Sequence, residues 1–301
     1  MPGRARASSS AYPILVARRG LLLAGKASAA DETYATSSAE ATVKPNPVKR
    51  SLNAGGHAIG TMIAQFAEPE IGRILAAAGF DFVVIDNEHG AFTLESNLQI
   101  IVAARPTGLV SVVRVPDSDY HLIARTLDAG AEGVMVPRVE TREQVERIVA
   151  AVKYPPLGRR GYGLRAIHTD RQPVAMPEAI AHVNDNTLII IQIESAVAVE
   201  AIDDLVSVPG VDVALIGPAD LSISLGVPGQ FEHPKMVEAM QRVIQGCERR
   251  GVAAGAHLGS VEAWKPWVER GMRCLLCSTD ENLLESAGQQ TVRALRALTQ
   301  G

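Results

Sequence analysis

Cysteine is scarce: Cys247, Cys274 and Cys277 are the only three in 301 residues. An odd, sparse set does not make a disulfide framework and fits a reducing compartment. Cys274-Leu275-Leu276-Cys277 has the CxxC spacing, but no second pair completes a zinc site, and the apolar run around it reads as a packed strand. Long hydrophobic runs are missing too. The longest, such as Thr187 to Ile191, have the length of a strand and not of a membrane span. There is no excess of one charge. The formal net charge of −4 gives no electrostatic reason to expect nucleic acid as a partner. A dinucleotide-binding glycine fingerprint is also absent. The one glycine cluster, Gly158-Arg159-Arg160-Gly161-Tyr162-Gly163, follows a helical pattern, whereas a dinucleotide loop follows a strand and opens a helix. The expectation is a cytoplasmic protein without membrane or nucleic-acid partners.

Hydrophobic residues make up 47% of the chain, enough to bury one large core. The N-terminus differs in composition. Arg4, Arg6, Arg18, Arg19 and Lys26 precede the first acid, Asp31, among many serines and alanines. Residues 1–45 therefore read as a disordered or targeting-type extension, with a mitochondrial location following if it is a transit peptide. From Ile59 onward, short apolar runs alternate with amphipathic stretches. Strands are expected at Ile59–Phe66, Phe80–Asp86, Leu109–Val115, Gly133–Val139, Thr187–Ile193, Val211–Ile216, Ala253–His257 and Arg273–Cys277. Helices are expected at Glu68–Ala78, Leu94–Ala104, Tyr120–Ala129, Arg142–Val152, Glu178–Val183, Val197–Val206, Pro234–Arg250, Val261–Arg270 and Asn282–Leu298. Eight such alternations over residues 46–301 predict a single α/β domain, a closed (β/α)8 barrel; an open doubly wound sheet is the rival.

Barrel enzymes build their sites at the C-terminal ends of the strands. The second strand ends in Asp86-Asn87-Glu88-His89-Gly90, the third in Arg114, the fifth in Gln192-Ile193-Glu194-Ser195 and the sixth in Gly217-Pro218-Ala219-Asp220. Glu194 and Asp220, on neighbouring strands, suit Mg2+ or Mn2+, which take oxygen ligands and leave positions open for water and substrate. Asp220, just before Leu221-Ser222, also reads as a helix cap. His89 has the residue type of a general base, and Arg114 that of an oxyanion stabiliser, a carboxylate clamp or a structural ion-pair partner. No lysine ends a strand in this mouth, which argues against a Schiff-base aldolase. A divalent ion chelated by a 2-oxo acid such as pyruvate would acidify its methyl group and hold the enolate.

Taken together, Gly79 to His89, Val113-Arg114-Val115-Pro116, Leu127 to Ala131, Tyr154 to Gly161, Gln192-Ile193-Glu194 and Gly217 to Ser222 resemble the HpcH/HpaI aldolase family of class II, metal-dependent pyruvate aldolases. The match runs from about Asn46 to near the C-terminus. It implies a carbon–carbon lyase that reversibly splits a 4-hydroxy-2-oxo acid into pyruvate and an aldehyde with Mg2+, Mn2+ or Co2+. By resemblance His89 is the base, acting through a water on the metal, Asp128 raises its basicity, and Arg114 stabilises the transition state. Glu194 and Asp220 are the implied metal ligands; Arg114, Gln192, the Ala219 backbone and Asp220 contact the 2-oxo acid. The resemblance also implies a homohexamer whose last helix is exchanged between neighbours. Helix geometry places Asp128 at the bottom of its own barrel, away from His89, so that either the helix is broken or Asp128 reaches the His89 of a neighbouring subunit, the favoured reading; a cap on its own helix or a local surface pair is the alternative. Glu88-His89-Gly90-Ala91-Phe92 departs from the Glu-His-Ala-Pro-Asn common in the family, and Met62 stands where many members have Trp. Both changes fall toward the aldehyde. Oxaloacetate decarboxylation, enolate chemistry like that of macrophomate synthase, and a non-catalytic barrel that only binds a 2-oxo acid are the competing functions.

Overall fold

The computed structural model describes residues 43–299, so the reading of the N-terminal extension falls almost entirely outside the described residues. Eight parallel strands close in sequence order into a barrel: β1 (Ala58–Ile63), β2 (Phe82–Asp86), β3 (Val110–Arg114), β4 (Gly133–Val136), β5 (Leu188–Ile193), β6 (Val213–Ile216), β7 (Ala253–Leu258) and β8 (Cys274–Thr279). Helix α1 (Pro47–Asn53) precedes the barrel. Helices α2 (Glu70–Ala77), α3 (Leu94–Ala104), α4 (Tyr120–Asp128), α5 (Arg142–Val152) and α6 (Met176–Asn186) follow the first four strands. After β5 come α7 (Ala196–Glu200) and α8 (Ile202–Leu205), after β6 α9 (Pro218–Ser224) and α10 (Pro234–Arg250), after β7 α11 (Lys265–Val268), and after β8 α12 (Asp280–Thr299). The expected (β/α)8 barrel is the observed fold.

Strands β2, β3 and β5 are buried at every residue, in keeping with their richness in Val, Ile and Leu when the barrel lies on one side and helices on the other. Period-two alternation divides the core in two. Phe82, Val84, Val110, Val112, Met135, Leu188, Ile190, Val213, Leu215 and Leu276 belong to the inner cluster. Val83, Ile85, Val113, Val134, Ile189, Ile191, Ala214 and Ile216 belong to the outer one, packed against the helices. Gly60 is needed inside, because a Cβ there would lie 2.5 Å from the Phe82 ring. Val48 and Leu52 of α1 join the inner cluster and close the N-terminal end of the barrel. Lys49 ties this plug down, donating to Asp212 and to the Thr187 carbonyl, each at 3.0 Å. Burial pushes the thiols of Cys247 and Cys274 up to about 12, against the nearby Arg273 guanidinium, so these two cysteines are packing residues.

Several elements differ from their sequence pattern. Helices α1 and α9 stand where the sequence pattern gave no helix. The expected helix at Val197–Val206 is divided into α7 and α8 at Ala201, and the one at Val261–Arg270 shrinks to Lys265–Val268. Pro266 has no N–H to donate, so it serves as a helix start and not as an interior residue.

Candidate active site

The C-terminal end of the barrel is a cavity of about 1150 Å3. Its floor follows from strand parity. The residues that continue the inward-facing rows to the rim are Asp86 on β2, Arg114 on β3, Gln192 on β5 and His257 on β7. Asp86 and Arg114 are also register partners across β2 and β3. Arg114 Nε donates to Asp86 Oδ1 at 2.8 Å and Nη2 to Oδ2 at 2.7 Å, a bidentate pair in which both side chains are nearly out of solvent. Burial raises the Asp86 carboxyl, but the hydrogen bond and charge of Arg114, with the amides of His89 and Glu88, outweigh it and hold the group below the usual carboxylate range. Those amides donate to Asp86 Oδ1 at 3.3 and 3.0 Å. One carboxylate therefore sets both the guanidinium and the loop that carries His89.

Glu88 turns back over Arg114, with Oε2 3.1 Å from Nη1, and its other oxygen is gripped by the Arg138 guanidinium. Arg114 has five N–H donors in all, so donors remain for a ligand in the mouth. His89 projects beyond them. Its side chain is 67% exposed, and Nε2 lies 3.9 Å from Glu88 Oε2.

Across the cavity, Glu194 follows β5 and is buried. Its Oε1 accepts the Arg138 amide at 2.6 Å, and Oε2 accepts Gln192 Nε2 at 2.7 Å. Burial pushes the Glu194 carboxyl up to about 7; the Arg138 hydrogen bond opposes this, while the charges of Glu88 and Asp220 add to it. Asp220 does not end a strand. It stands in the first turn of α9, behind Pro218 at the helix start, exposed toward the cavity beside Ala219. Gly217 at the end of β6 leaves room for this arrangement: a Cβ there would lie 2.7 Å from Gln192 Nε2 and 3.0 Å from Glu194 Oε2. Arg138 reaches Glu194 with its backbone and Glu88 with its side chain from a left-handed conformation, φ 53°, uncommon for a residue with a side chain.

The mouth gathers four carboxylates, Asp86, Glu88, Glu194 and Asp220, around two guanidiniums, Arg114 and Arg138. That surplus of negative charge fits a divalent cation. So does the donor set: Gln192 Oε1 is buried without a hydrogen-bond partner next to Glu194, an oxygen that lacks a donor and suits a cation or an O–H. No group of three or more His, Cys, Asp or Glu able to hold an ion is present among the described residues.

Asp128 is the sequence-assigned residue that this chain does not bring to the mouth. It ends α4, at the opposite end of the barrel, and pairs with Arg160 Nη2 at 2.6 Å. Arg160 is itself buried and stacks over the Tyr154 ring at 4.8 Å. A larger concavity of about 1480 Å3 opens there, between α3, α4 and the 165–172 segment, with Asp128, Arg105 and Asp170 in its lining. It is formed away from the chemistry of the strand ends. Asp86, Glu88, Arg138 and His257 are the residues that the sequence left without a role. Parity with Arg114 and Gln192 was the signal for Asp86 and His257; nothing in the sequence marked the left-handed turn at Arg138.

Comparison with known proteins agrees with this geometry. The family model of the HpcH/HpaI aldolase/citrate lyase family matches residues 61–270, more than half of the chain. A 2-keto-3-deoxy-L-rhamnonate aldolase of Salmonella gallinarum is 36% identical over 214 residues, 71% of this chain and 78% of the relative. The crystal structure of an HpcH/HpaI aldolase from Desulfitobacterium hafniense superposes with a TM-score of 0.78 at 40% identity, covering 83% of this chain and 96% of that one. Macrophomate synthase superposes with a TM-score of 0.73 at 28% identity, covering 86% and 92%. With a family model over more than half of its length and a relative at 36% identity, this chain belongs to the HpcH/HpaI aldolase/citrate lyase family and is a carbon–carbon lyase of the aldolase type.

Proposed function

We propose that the mouth splits a 4-hydroxy-2-oxo acid reversibly into pyruvate and an aldehyde, with a divalent cation, Mg2+, Mn2+ or Co2+, held by Glu194 and Asp220. The observation that carries this is the pairing of two carboxylates, the buried Glu194 after β5 and Asp220 in the first turn of α9, with the buried, unpartnered Gln192 Oε1 beside Glu194. A bound divalent ion supplies Lewis acidity to the keto oxygen of a 2-oxo acid. Arg114, fixed by Asp86 and Glu88, directs its remaining N–H donors at the oxygen on which charge develops. The Ala219 backbone, in the first turn of α9, offers an unpaired amide to the substrate carboxylate, and Gln192 lies against the same half. His89 removes a proton from the pyruvate methyl group in the synthetic direction and returns one in cleavage.

The proposal extends to assembly. Helix α12 is amphipathic, yet only Asp280 of its 20 residues is buried, and Leu284, Val292, Leu295 and Leu298 are exposed. Such a face calls for a partner, and a second copy of this chain exchanging α12 fits it. In that homo-oligomer, a hexamer by family resemblance, Asp128 serves the His89 of a neighbouring subunit.

The test is pyruvate methyl exchange in deuterated buffer, followed by NMR, together with aldehyde adduct formation. Exhaustive chelation should abolish both, and Mg2+, Mn2+ or Co2+ should restore them. Undiminished turnover after chelation, with metal content checked, overturns the proposal. Oxaloacetate decarboxylation without aldol turnover would assign the same enolate chemistry to a decarboxylase.

A further inference from the structure

Glu88 is the carboxylate of the mouth with the most claims on it. Its side chain is only 6% exposed, and three ionisable groups reach it among the described residues. Arg114 Nη1 lies 3.1 Å and His89 Nε2 3.9 Å from Oε2, while the Arg138 guanidinium grips Oε1. A carboxylate this far from water does not stay unpaired. Arg114 does not balance it alone, because Asp86 already takes Arg114 Nε and Nη2 as a bidentate pair. The second carboxylate needs the second guanidinium, which is that of Arg138. Without Arg138, the next donor in line for Glu88 is the imidazole of His89.

Arg138 is held in place for this contact from two sides. It stands two residues past β4 with φ 53°, a left-handed backbone that the surroundings have to enforce. Glu194 Oε1 accepts its amide at 2.6 Å and fixes the turn. The Pro116 carbonyl accepts Nη2 at 2.5 Å and aims the guanidinium at the loop after β2. The side chain is 55% exposed, so it is not there to fill the core. What His89 stands to lose follows from the chemistry of its ring. A carboxylate only accepts, so an Nε2 that closes on Glu88 has to carry a hydrogen and has no lone pair left for a substrate proton.

We propose that Arg138 is a positioning residue whose guanidinium holds Glu88 on Arg114 and off His89, and so leaves the imidazole free to work as the base. The inference rests on the aldolase reading of the mouth, in which His89 takes the methyl proton. The two halves of Arg138 then do separate things. Its backbone amide sets Glu194, and any residue at 138 that keeps the turn supplies that amide. Its side chain sets Glu88, and that contact needs a positive charge.

The experiment reads pyruvate methyl exchange with Mn2+ in Arg138→Met and Arg138→Gly, each alone and combined with Glu88→Gln. Methionine is unbranched and uncharged; glycine suits the left-handed backbone, so the guanidinium is removed there without conformational strain. Both single variants should lose at least about tenfold in kcat, part of what a general base contributes. KM for pyruvate and Mn2+ affinity by calorimetry should be unchanged, because the amide on Glu194 remains. Glu88→Gln takes away the freed charge, while its amide oxygen still accepts from Arg114. The double variants should therefore recover most of the lost kcat, a coupling that additive structural damage does not produce. Arg138→Lys keeps a charge within reach of Glu88 and should fall between wild type and Arg138→Met. Unchanged kcat in both single variants overturns the proposal. A loss that Glu88→Gln does not relieve overturns it too, and so does a loss carried by Mn2+ affinity, which would assign Arg138 to Glu194. A wild-type chain without methyl exchange fails the aldolase reading itself, a result distinct from any of these.

Discussion

Two carboxylates in the mouth have opposite electrostatics, and each gives a prediction at the scale of a single residue. Asp86 is held ionised against its burial by Arg114, so its stabilising contribution is present above the unfolded carboxylate pKa and is lost as pH falls through its lower folded value. Asp86→Asn removes the bidentate partner of the nearly buried Arg114 guanidinium and leaves Glu88 to balance it, and should cost about 3 kcal/mol in urea unfolding at pH 7. Glu194 works the other way. Its folded pKa is raised from 4.5 to about 7, so the native state keeps a proton that the unfolded state has already lost. Metal-free protein should therefore lose stability, on the order of 2 kcal/mol, as pH rises from about 4.5 to 7. Glu194→Gln should remove this slope and raise the Tm of the metal-free protein at pH 8. It should also abolish the stabilisation given by added Mn2+. A flat pH profile in the metal-free wild-type protein would contradict the reading of Glu194.

At the scale of the element, the end of β6 is the most demanding junction. Gly217 has an ordinary extended backbone, φ −93°, so a side chain there is not strained by conformation. What a side chain there would displace is the ends of Gln192 and Glu194, which lie 2.7 and 3.0 Å from the position of a Cβ. Gly217→Ala should fold with near wild-type far-UV circular dichroism but bind Mn2+ at least tenfold more weakly by calorimetry, because Glu194 has to move. Wild-type affinity would mean that Glu194 is not a metal ligand. Elements of this kind show what a sequence reveals. The buried strands were legible because runs such as Leu188–Ile193 have no other use in a barrel. Helices α3, α5 and α10 matched residue for residue, because apolar period and end signals coincide in them: threonine N-caps on α3 and α5, Gly251 in the left-handed conformation after α10. Helix α9 was missed because seven residues behind a strand are too few to show a period, and Asp220 was read as a strand end for the same reason. The pairing of Asp86 with Arg114 was written in the alternation of β2 and β3, but only the register shows that the two positions are opposite each other.

At the scale of the whole molecule, the chain looks unfinished in two places. One is α12. Asp280 anchors it by accepting the amides of Ala64, Gln65 and Phe66 just past β1, Leu283 packs partly against the core, and beyond Leu283 the apolar residues of the helix are exposed. The other is Asp128, nine residues down α4, about 13 Å at 1.5 Å per residue, and so out of hydrogen-bond reach of His89 in the same barrel. If an oligomer completes both, activity is a property of neighbouring pairs. His89→Ala and Asp128→Asn homomers should each lose about 10²–10⁴-fold in pyruvate methyl exchange. Asn is chosen at 128 because it still accepts from Arg160, whose buried guanidinium would be stranded by alanine. When the two variants are mixed in equal amounts under conditions that allow subunits to exchange, about a quarter of the sites regain an intact His89 facing an intact Asp128, for random reassembly of a symmetric oligomer. Activity should rise from background to about that fraction of wild type, and only after exchange. Mixing without exchange should leave it at background. A single-site enzyme, in which Asp128 merely neutralises Arg160, gives no recovery under either condition, and its Asp128→Asn variant would be impaired in Tm and not in methyl exchange.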